Sequence, residues 1–144
     1  MADVILRTYF PDDAARYFLP MKIGTASAMA DEGADLIIAG TKTATSSPLW
    51  HYPDGRIPFV GALSPLLDNS DRPRGIVETT RVEVKLFSAI DAAFAHDYGE
   101  GPRTLSWWQS TMQDWYRADA ARHGQPFDVS TPIICERFKL VMRL

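Results

Sequence analysis

The sequence has little cysteine. Cys135 is the single one among 144 residues, so no disulfide can form within the chain. It lies in the apolar run Pro132-Ile133-Ile134-Cys135, which predicts a buried and inert thiol, because a nucleophilic cysteine needs a basic and partly exposed setting. One unpaired cysteine also fits a reducing compartment. A small secreted fold held together by disulfides is therefore excluded.

Long apolar segments are absent as well. The longest apolar stretches span a few residues, whereas roughly 20 are needed to cross a bilayer. The first ten residues include Asp3 and Arg7 and are too polar and too short for a signal peptide. We therefore expect no membrane contact and a cytoplasmic protein.

Positive charge is not in excess. The formal net charge is −3, whereas proteins that bind long duplex nucleic acid without sequence preference normally present a basic face. Long duplex DNA is therefore not an expected partner. A local contact with RNA or with a modified nucleoside remains open.

Metal and cofactor motifs are also missing. The three histidines, His51, His96 and His123, show no metal-ligand spacing, and a single cysteine cannot supply the sulfur ligands of a zinc motif. The glycines of Gly99-x-Gly101 follow no strand, so they do not form a dinucleotide-binding fingerprint. We expect no metal site and no cofactor.

Apolar residues, by contrast, are abundant enough for one core. Hydrophobic residues make up 46% of the chain, and a chain of this length can bury roughly two-thirds of its unfolded surface, so residues 1–144 are expected to form a single domain. Periodicity predicts helices over 14–19, from Thr25 or Ser27 to 39, over 88–96, and over 107–122 behind a Thr104 or Ser106 cap. In the last helix Trp108, Met112, Trp115 and Tyr116 recur at helical spacing, which places Trp108 and Trp115 in the core. It predicts strands over 49–52, 59–67, 75–87 and 132–144. This order indicates an α+β domain with a largely antiparallel or barrel-like sheet.

A polar segment follows the second predicted helix, and Gly40 is the residue just past the end of that helix. In this segment Lys42 and Thr45 are three residues apart, so a tight bend would direct both side chains into one space. A lysine with a lowered pKa can take the proton of a threonine hydroxyl and, once protonated, stabilise an oxyanion. The alternatives are an exposed lysine near the negative end of a helix and hydroxyls that bond only to the local backbone.

Four stretches in the same order and spacing resemble the ASCH family. Gly40–Ser47 is similar to its opening Gly-x-Lys-x-x-Thr motif. Gly75–Val84, Gly99–Trp108 and Ile134–Phe138 resemble a bacterial branch of the family. The resemblance implies a PUA-like mixed or antiparallel β-barrel with flanking helices and an RNA-linked role. Residues 1–20 and the helix after Trp108 match it least, and such segments often form the wall of a pocket.

The resemblance also implies candidate residues. Some relatives are amidohydrolases that deacetylate acetylated cytidine with a lysine, a threonine and a strand glutamate, which fall here on Lys42, Thr45 and Glu78. For Glu78 the alternative is a solvated strand face. Other relatives cleave single-stranded RNA. A hydrolase acting on an acylated nucleoside, a metal-independent endoribonuclease and a non-catalytic RNA-binding module therefore all stay open.

Substrate contacts are predicted for hydroxyl, aromatic and cationic side chains near these motifs. Trp107 cannot share the buried face of its neighbour Trp108, so it is expected to stack on a base, as is Trp50. Arg103 could contact a phosphate or a carboxylate, although a surface arginine is the default. Lysine and hydroxyl groups also suit phosphate contact. The predicted substrate-binding set is Ser46, Ser47, Trp50, Arg103 and Trp107.

Overall fold

The computed structural model describes residues 2–24 and 27–144. The helices are α1 (Ala2–Tyr9), α2 (Ser27–Ile38), α3 (Ala92–Tyr98) and α4 (Leu105–Arg122). The strands are β1 (Ala44–Pro48), β2 (Leu63–Leu67), β3 (Pro73–Leu86) and β4 (Pro132–Arg143). Short 3₁₀ turns occupy Ala14–Arg16, Leu49–His51 and Phe87–Ala89. None of the described helices is long and apolar enough to cross a membrane.

The four strands form one curled antiparallel sheet in the order β1-β4-β3-β2, which amounts to half of a barrel. The long pair β3–β4 carries register shifts at Ile76/Val77 and at Thr79/Arg81. Such irregularities bend a strand and increase its twist, which explains how a single sheet wraps around a core. The prediction of an α+β, barrel-like antiparallel sheet with flanking helices is confirmed.

Helix α4 follows directly from its sequence. The Thr104 hydroxyl accepts a hydrogen bond from the Trp107 amide at 3.2 Å and so caps the helix. Trp108, Met112 and Tyr116 recur every four residues and are all buried, since residues at this spacing share one helix face. Both the cap and the buried face agree with the prediction for this segment.

The largest apolar cluster lies between α3, α4 and the β1–β4 side of the sheet. The Trp108 ring stacks on Phe87 with centroids 5.3 Å apart, and it meets Phe94 and Tyr98 edge to face. Cys135 belongs to this cluster, and burial raises the pKa of its thiol to about 12. The predicted inert cysteine is consistent with that environment.

Two smaller clusters hold the other helices against the sheet. Ala34 and Ile37 of α2 contact Leu66 and Val77. Leu6 of α1 is fully buried in a cluster with Leu63 and Ile76. The segment that links α1 to α2 runs beside β2, through bridges from Tyr17 to Leu63 and from Met21 to Leu66.

Four local predictions differ from the structure. The strand expected over 59–67 begins only at Leu63, because residues 59–62 form a turn closed by the hydrogen bond from the Ala62 amide to the Phe59 carbonyl. Helix α1 was not predicted, and the helix expected over 14–19 is a 3₁₀ turn, because the apolar anchor of this region is Leu6. The strand expected over 49–52 is also a 3₁₀ turn, and β1 lies just before it. The Thr25 cap proposed for α2 lies outside the described residues. The helix expected from Ser88 begins later, where the Asp91 carboxylate accepts from the Phe94 amide at 2.9 Å.

Candidate functional site

A cleft of about 390 Å³ opens between β1, the segment 18–24, the loop from α3 to α4, and α4. This volume lies within the range typical of small-molecule sites. Its polar lining comes largely from Thr45, Ser46, Ser47, Glu100 and Glu136. Residues 18–20 and helix α4 both form part of the cleft wall. They belong to the two regions whose sequence least resembles the family motifs described above.

Lys42 lies directly behind this wall and is 1% exposed. Its Nζ is 2.8 Å from Glu100 Oε2, donates to the Tyr98 carbonyl oxygen at 3.0 Å, and lies 3.4 Å from the centre of the Tyr98 ring. Burial lowers the pKa of Lys42 to about 8, against the opposing effect of the Glu100 carboxylate. Lys42 is therefore not the exposed surface lysine of the alternative interpretation.

The loop after α3 brings Glu100 onto Lys42 through a close backbone contact. Gly99 has a φ of +73°, and a Cβ at this position would collide with the backbone of Thr41 and Lys42. The neighbouring Arg103 donates to the Thr41 carbonyl at 3.4 Å and to the His96 carbonyl at 2.9 Å. Arg103 therefore braces this loop and does not line the cleft, contrary to its predicted role as a substrate contact.

Thr45 and Glu136 form the second polar pair of the cleft. They are directly opposite each other in the β1–β4 register, and both line the cleft. Glu136 is 4% exposed and accepts a hydrogen bond of 2.6 Å from the Thr79 hydroxyl. Burial raises the pKa of Glu136, and the Thr79 hydrogen bond opposes this only in part. The carboxyl group beside Thr45 therefore keeps its proton to a higher pH than an exposed glutamate.

The two serine hydroxyls of β1 form hydrogen bonds with tyrosine side chains. The Tyr116 hydroxyl donates to Ser46 Oγ at 2.6 Å, and Ser47 Oγ lies 3.3 Å from the Tyr52 hydroxyl. Both serines line the cleft, so the structure places these predicted residues in a position to contact a ligand.

The two tryptophans predicted to contact a substrate, Trp107 and Trp50, lie in different surroundings. Trp107 lines the cleft together with Trp115, which also packs against the core cluster, as its spacing from Trp108 predicted. Trp50 lies elsewhere, because its Nε1 donates to the buried carboxylate of Asp119 at 2.8 Å and its ring packs against the core. Trp107 and Trp115 are therefore the tryptophans that a ligand in the cleft would meet.

Glu78 does not join the cleft. Its carboxylate lies 3.0 Å from Arg16 and 3.7 Å from Lys139, and it is absent from the cleft wall. The sheet order explains this, since β4 separates β3 from β1. The acids near Lys42 and Thr45 are Glu100 and Glu136, which the sequence reasoning missed. The one signal for Glu100 was its position between two glycines, and for Glu136 its position inside an apolar strand.

Comparison with known families identifies the fold. The family model for the ASCH domain matches residues 20–142. The chain belongs to the ASCH family. This is a family associated with RNA binding.

Solved ASCH-type structures share the whole architecture. An ASCH domain from Lactobacillus crispatus is 25% identical, with a TM-score of 0.86, and the match covers 98% of this chain and 94% of that one. A protein from Enterococcus faecalis is 22% identical with a TM-score of 0.81, and the match covers 99% of this chain and 94% of that one. No curated protein matches the chain.

Proposed function

We propose that this ASCH-domain protein binds a nucleoside in the cleft and hydrolyses an N-acyl group from it, with Lys42 and Thr45 as the catalytic residues. The observation that carries the proposal is a fully buried lysine, with a pKa lowered to about 8, against the wall of a cleft lined by Thr45. A lysine with this pKa exchanges its proton near neutral pH, whereas an ordinary lysine stays protonated.

Tyr98 connects the two catalytic residues. Its ring lies 3.4 Å from Lys42 Nζ. Burial and the charge of Glu100 raise the pKa of Tyr98, while hydrogen bonding to Ser46 and Thr45 opposes the rise. The phenol therefore stays neutral, with the Lys42 amine over its ring and the Thr45 hydroxyl within reach of its oxygen.

The proposed reaction has two stages. Neutral Lys42 takes the proton of the Thr45 hydroxyl as its oxygen attacks the acyl carbon, and the resulting ammonium stabilises the oxyanion. The carbon–nitrogen bond then breaks, and the leaving amine receives the proton from Lys42. Water hydrolyses the acyl-threonine ester, which releases the carboxylic acid and restores the hydroxyl. Glu100 orients Lys42, and Glu136 offers a hydrogen-bonding group to the ligand beside Thr45.

Size and lining both support a nucleoside over a long strand. The cleft volume of about 390 Å³ suits a small ligand, and the indole rings of Trp107 and Trp115 offer faces on which a base can stack. Among the described residues that line the cleft, Lys22 is the only lysine or arginine, and it is paired with Asp71 at 2.8 Å. Polyanion binding needs several cations that neutralise phosphates.

The test compares two substrates in parallel. Purified protein is incubated with N4-acetylcytidine and with labelled single-stranded RNA, and the products are separated by chromatography. We expect cytidine and acetate from the wild type, and a loss of about 10²–10⁴-fold in kcat/KM for Lys42→Met and Thr45→Val. Glu78→Gln is the matched control and should stay within about twofold, because this carboxylate lies outside the cleft wall.

Two results would overturn the proposal. Turnover that survives in both Lys42→Met and Thr45→Val, with circular dichroism like that of the wild type, would remove the mechanism. RNA cleavage without deacetylation would replace the small amide with a strand as the substrate and make the protein an endoribonuclease.

A further inference from the structure

The geometry points to a divalent transition-metal site formed by His51, Asp119 and His123, which goes beyond the proposed hydrolase function. Each of the three residues offers one ligand atom, and these atoms all lie within 4.8 Å of one another. The sequence expectation of no metal site rested on spacing along the chain, which does not reveal residues that the fold brings together.

The distances are close to those around a single ion. His51 Nε2 lies 2.7 Å from Asp119 Oδ2, and His123 Nδ1 lies 3.8 Å from the same oxygen. His123 Nδ1 also donates to the Asp119 carbonyl oxygen at 2.8 Å, so metal binding requires that this hydrogen bond break or that the ring turn to present Nε2. The two imidazole rings have centroids 5.5 Å apart. Nitrogen and oxygen ligands sit about 2.0–2.2 Å from zinc, so ligand atoms on one ion are about 3 Å apart. Rotation of the two imidazole rings, with loss of their hydrogen bonds to Asp119, would therefore place all three residues on one metal.

Secondary structure fixes two of the three ligands. Asp119 lies in the last turn of α4 and His123 is the residue that follows the helix, so the two are one turn apart and close in space. His51 ends the 3₁₀ turn that follows β1, and it lines the cleft. An ion at this cluster would therefore border the cleft, next to the strand that carries Thr45.

The Asp119 carboxylate is held in position by hydrogen bonds from neighbouring side chains. Asp119 is 1% exposed and accepts from Trp50 Nε1 at 2.8 Å and from Arg122 at 2.9 Å. Ligating carboxylates in metalloproteins are likewise fixed by outer hydrogen bonds.

The donor set selects the class of metal. Two imidazoles and one carboxylate suit Zn²⁺, Co²⁺ or Ni²⁺, whereas Ca²⁺ and Mg²⁺ prefer oxygen ligands alone. Three protein ligands leave one position of a tetrahedral ion for water or for a ligand. The Arg122 guanidinium lies on the other side of the carboxylate and should weaken the affinity for any cation.

Zinc titration of the metal-stripped, untagged full chain tests the site. Isothermal calorimetry with ZnCl₂ should give one equivalent bound, with affinity reduced at least tenfold in His51→Gln and in His123→Gln. His96→Gln is the matched control, because His96 is the remaining histidine of the chain and lies on α3. Its affinity should equal that of the wild type. Arg122→Gln should bind zinc more tightly, since the neighbouring positive charge is removed.

Thermal unfolding gives a second measurement that does not depend on activity. Zinc should raise the Tm of the wild type and leave the His51→Gln/His123→Gln double variant unchanged, because a ligand stabilises only the state that binds it. The inference is wrong if the wild type binds no zinc at millimolar concentration, or if the double variant binds as tightly as the wild type. Lys42→Met should bind zinc like the wild type, so failure of the proposed hydrolase mechanism would not be mistaken for failure of this site.

Discussion

Lys42 and Glu100 form a salt bridge of 2.8 Å in which the lysine side chain is fully buried and the glutamate is 21% exposed. Burial lowers the pKa of Lys42 to about 8. Because the proposed mechanism uses the neutral amine, we expect kcat/KM for an acylated nucleoside to rise with pH and to level off above about 8. A pH–rate profile measures this directly. A rate that is flat or falling between pH 6.5 and 9 would contradict the role of Lys42 as the base.

Removing the charge of Glu100 should shift the pH–rate profile of kcat/KM to lower pH. The Glu100 carboxylate raises the pKa of Lys42 against the effect of burial, so Glu100→Gln should lower the lysine pKa further. The rising limb of kcat/KM should then shift to lower pH, even if the maximal rate falls. Glu78→Gln is the control, because its carboxylate pairs with Arg16 and Lys139 and should leave the limb in place. A shift to higher pH in Glu100→Gln would contradict the assignment.

A third prediction concerns the stability cost of Glu136. Burial raises the pKa of this carboxyl above its ordinary value of 4.5, so the native state binds the proton more tightly than the unfolded state. The free energy of unfolding of the wild type therefore falls as the pH rises from 4.5 through the native pKa. Glu136→Gln avoids this loss and keeps an acceptor for Thr79. We expect a higher urea midpoint for this variant at pH 7.

Comparison across pH separates this effect from a general change in packing. Below pH 4.5 the wild-type carboxyl is protonated in both states, so the advantage of Glu136→Gln should disappear. The control Glu78→Gln removes a partly exposed ion pair and should change stability by less than about 1 kcal/mol at pH 7. A Glu136→Gln protein that is less stable than the wild type at pH 7 would show that ionisation of this group does not limit stability.

Segments with strong periodicity could be predicted from the sequence, and segments with weak periodicity could not. The helical spacing of Trp108, Met112, Trp115 and Tyr116 predicted α4, and the alternation over 75–87 predicted β3. The serines and threonine of β1 carry no such pattern, because their strand is defined by backbone pairing with β4. The hydroxyl-rich segment was therefore read as a loop.

The residues of the candidate site divide in a similar way, because a short motif is visible in the sequence whereas contacts between strands are not. Lys42 and Thr45 belong to one short motif, so the local sequence was enough to select both, and both lie against Tyr98. The acid that lies across from Thr45 depends on the sheet order, which local patterns do not contain. Glu78 and Glu136 both lie on strands, and only the β1-β4-β3-β2 order places Glu136 beside Thr45. The pairing of His51 with Asp119 depends on the fold in the same way.

The last prediction tests whether the loop after α3 positions Lys42. Gly99 and Gly55 have similar φ values of +73° and +76°, so alanine at either position should cost about 1–2 kcal/mol of left-handed strain. At Gly55 nothing lies within 4 Å of the added Cβ, whereas at Gly99 it collides with the backbone of Thr41 and Lys42. We therefore expect Gly99→Ala to lose clearly more stability in urea unfolding.

Activity should separate the two alanine variants further. Gly55→Ala keeps the Lys42 environment and should retain the kcat/KM of the wild type. Gly99→Ala displaces the loop that carries Glu100, so the lysine loses the contact that orients it, and kcat/KM should fall at least tenfold at temperatures where the variant is still folded. Equal losses of stability and equal activities in the two variants would mean that the close approach of Gly99 to Lys42 has no part in building the site.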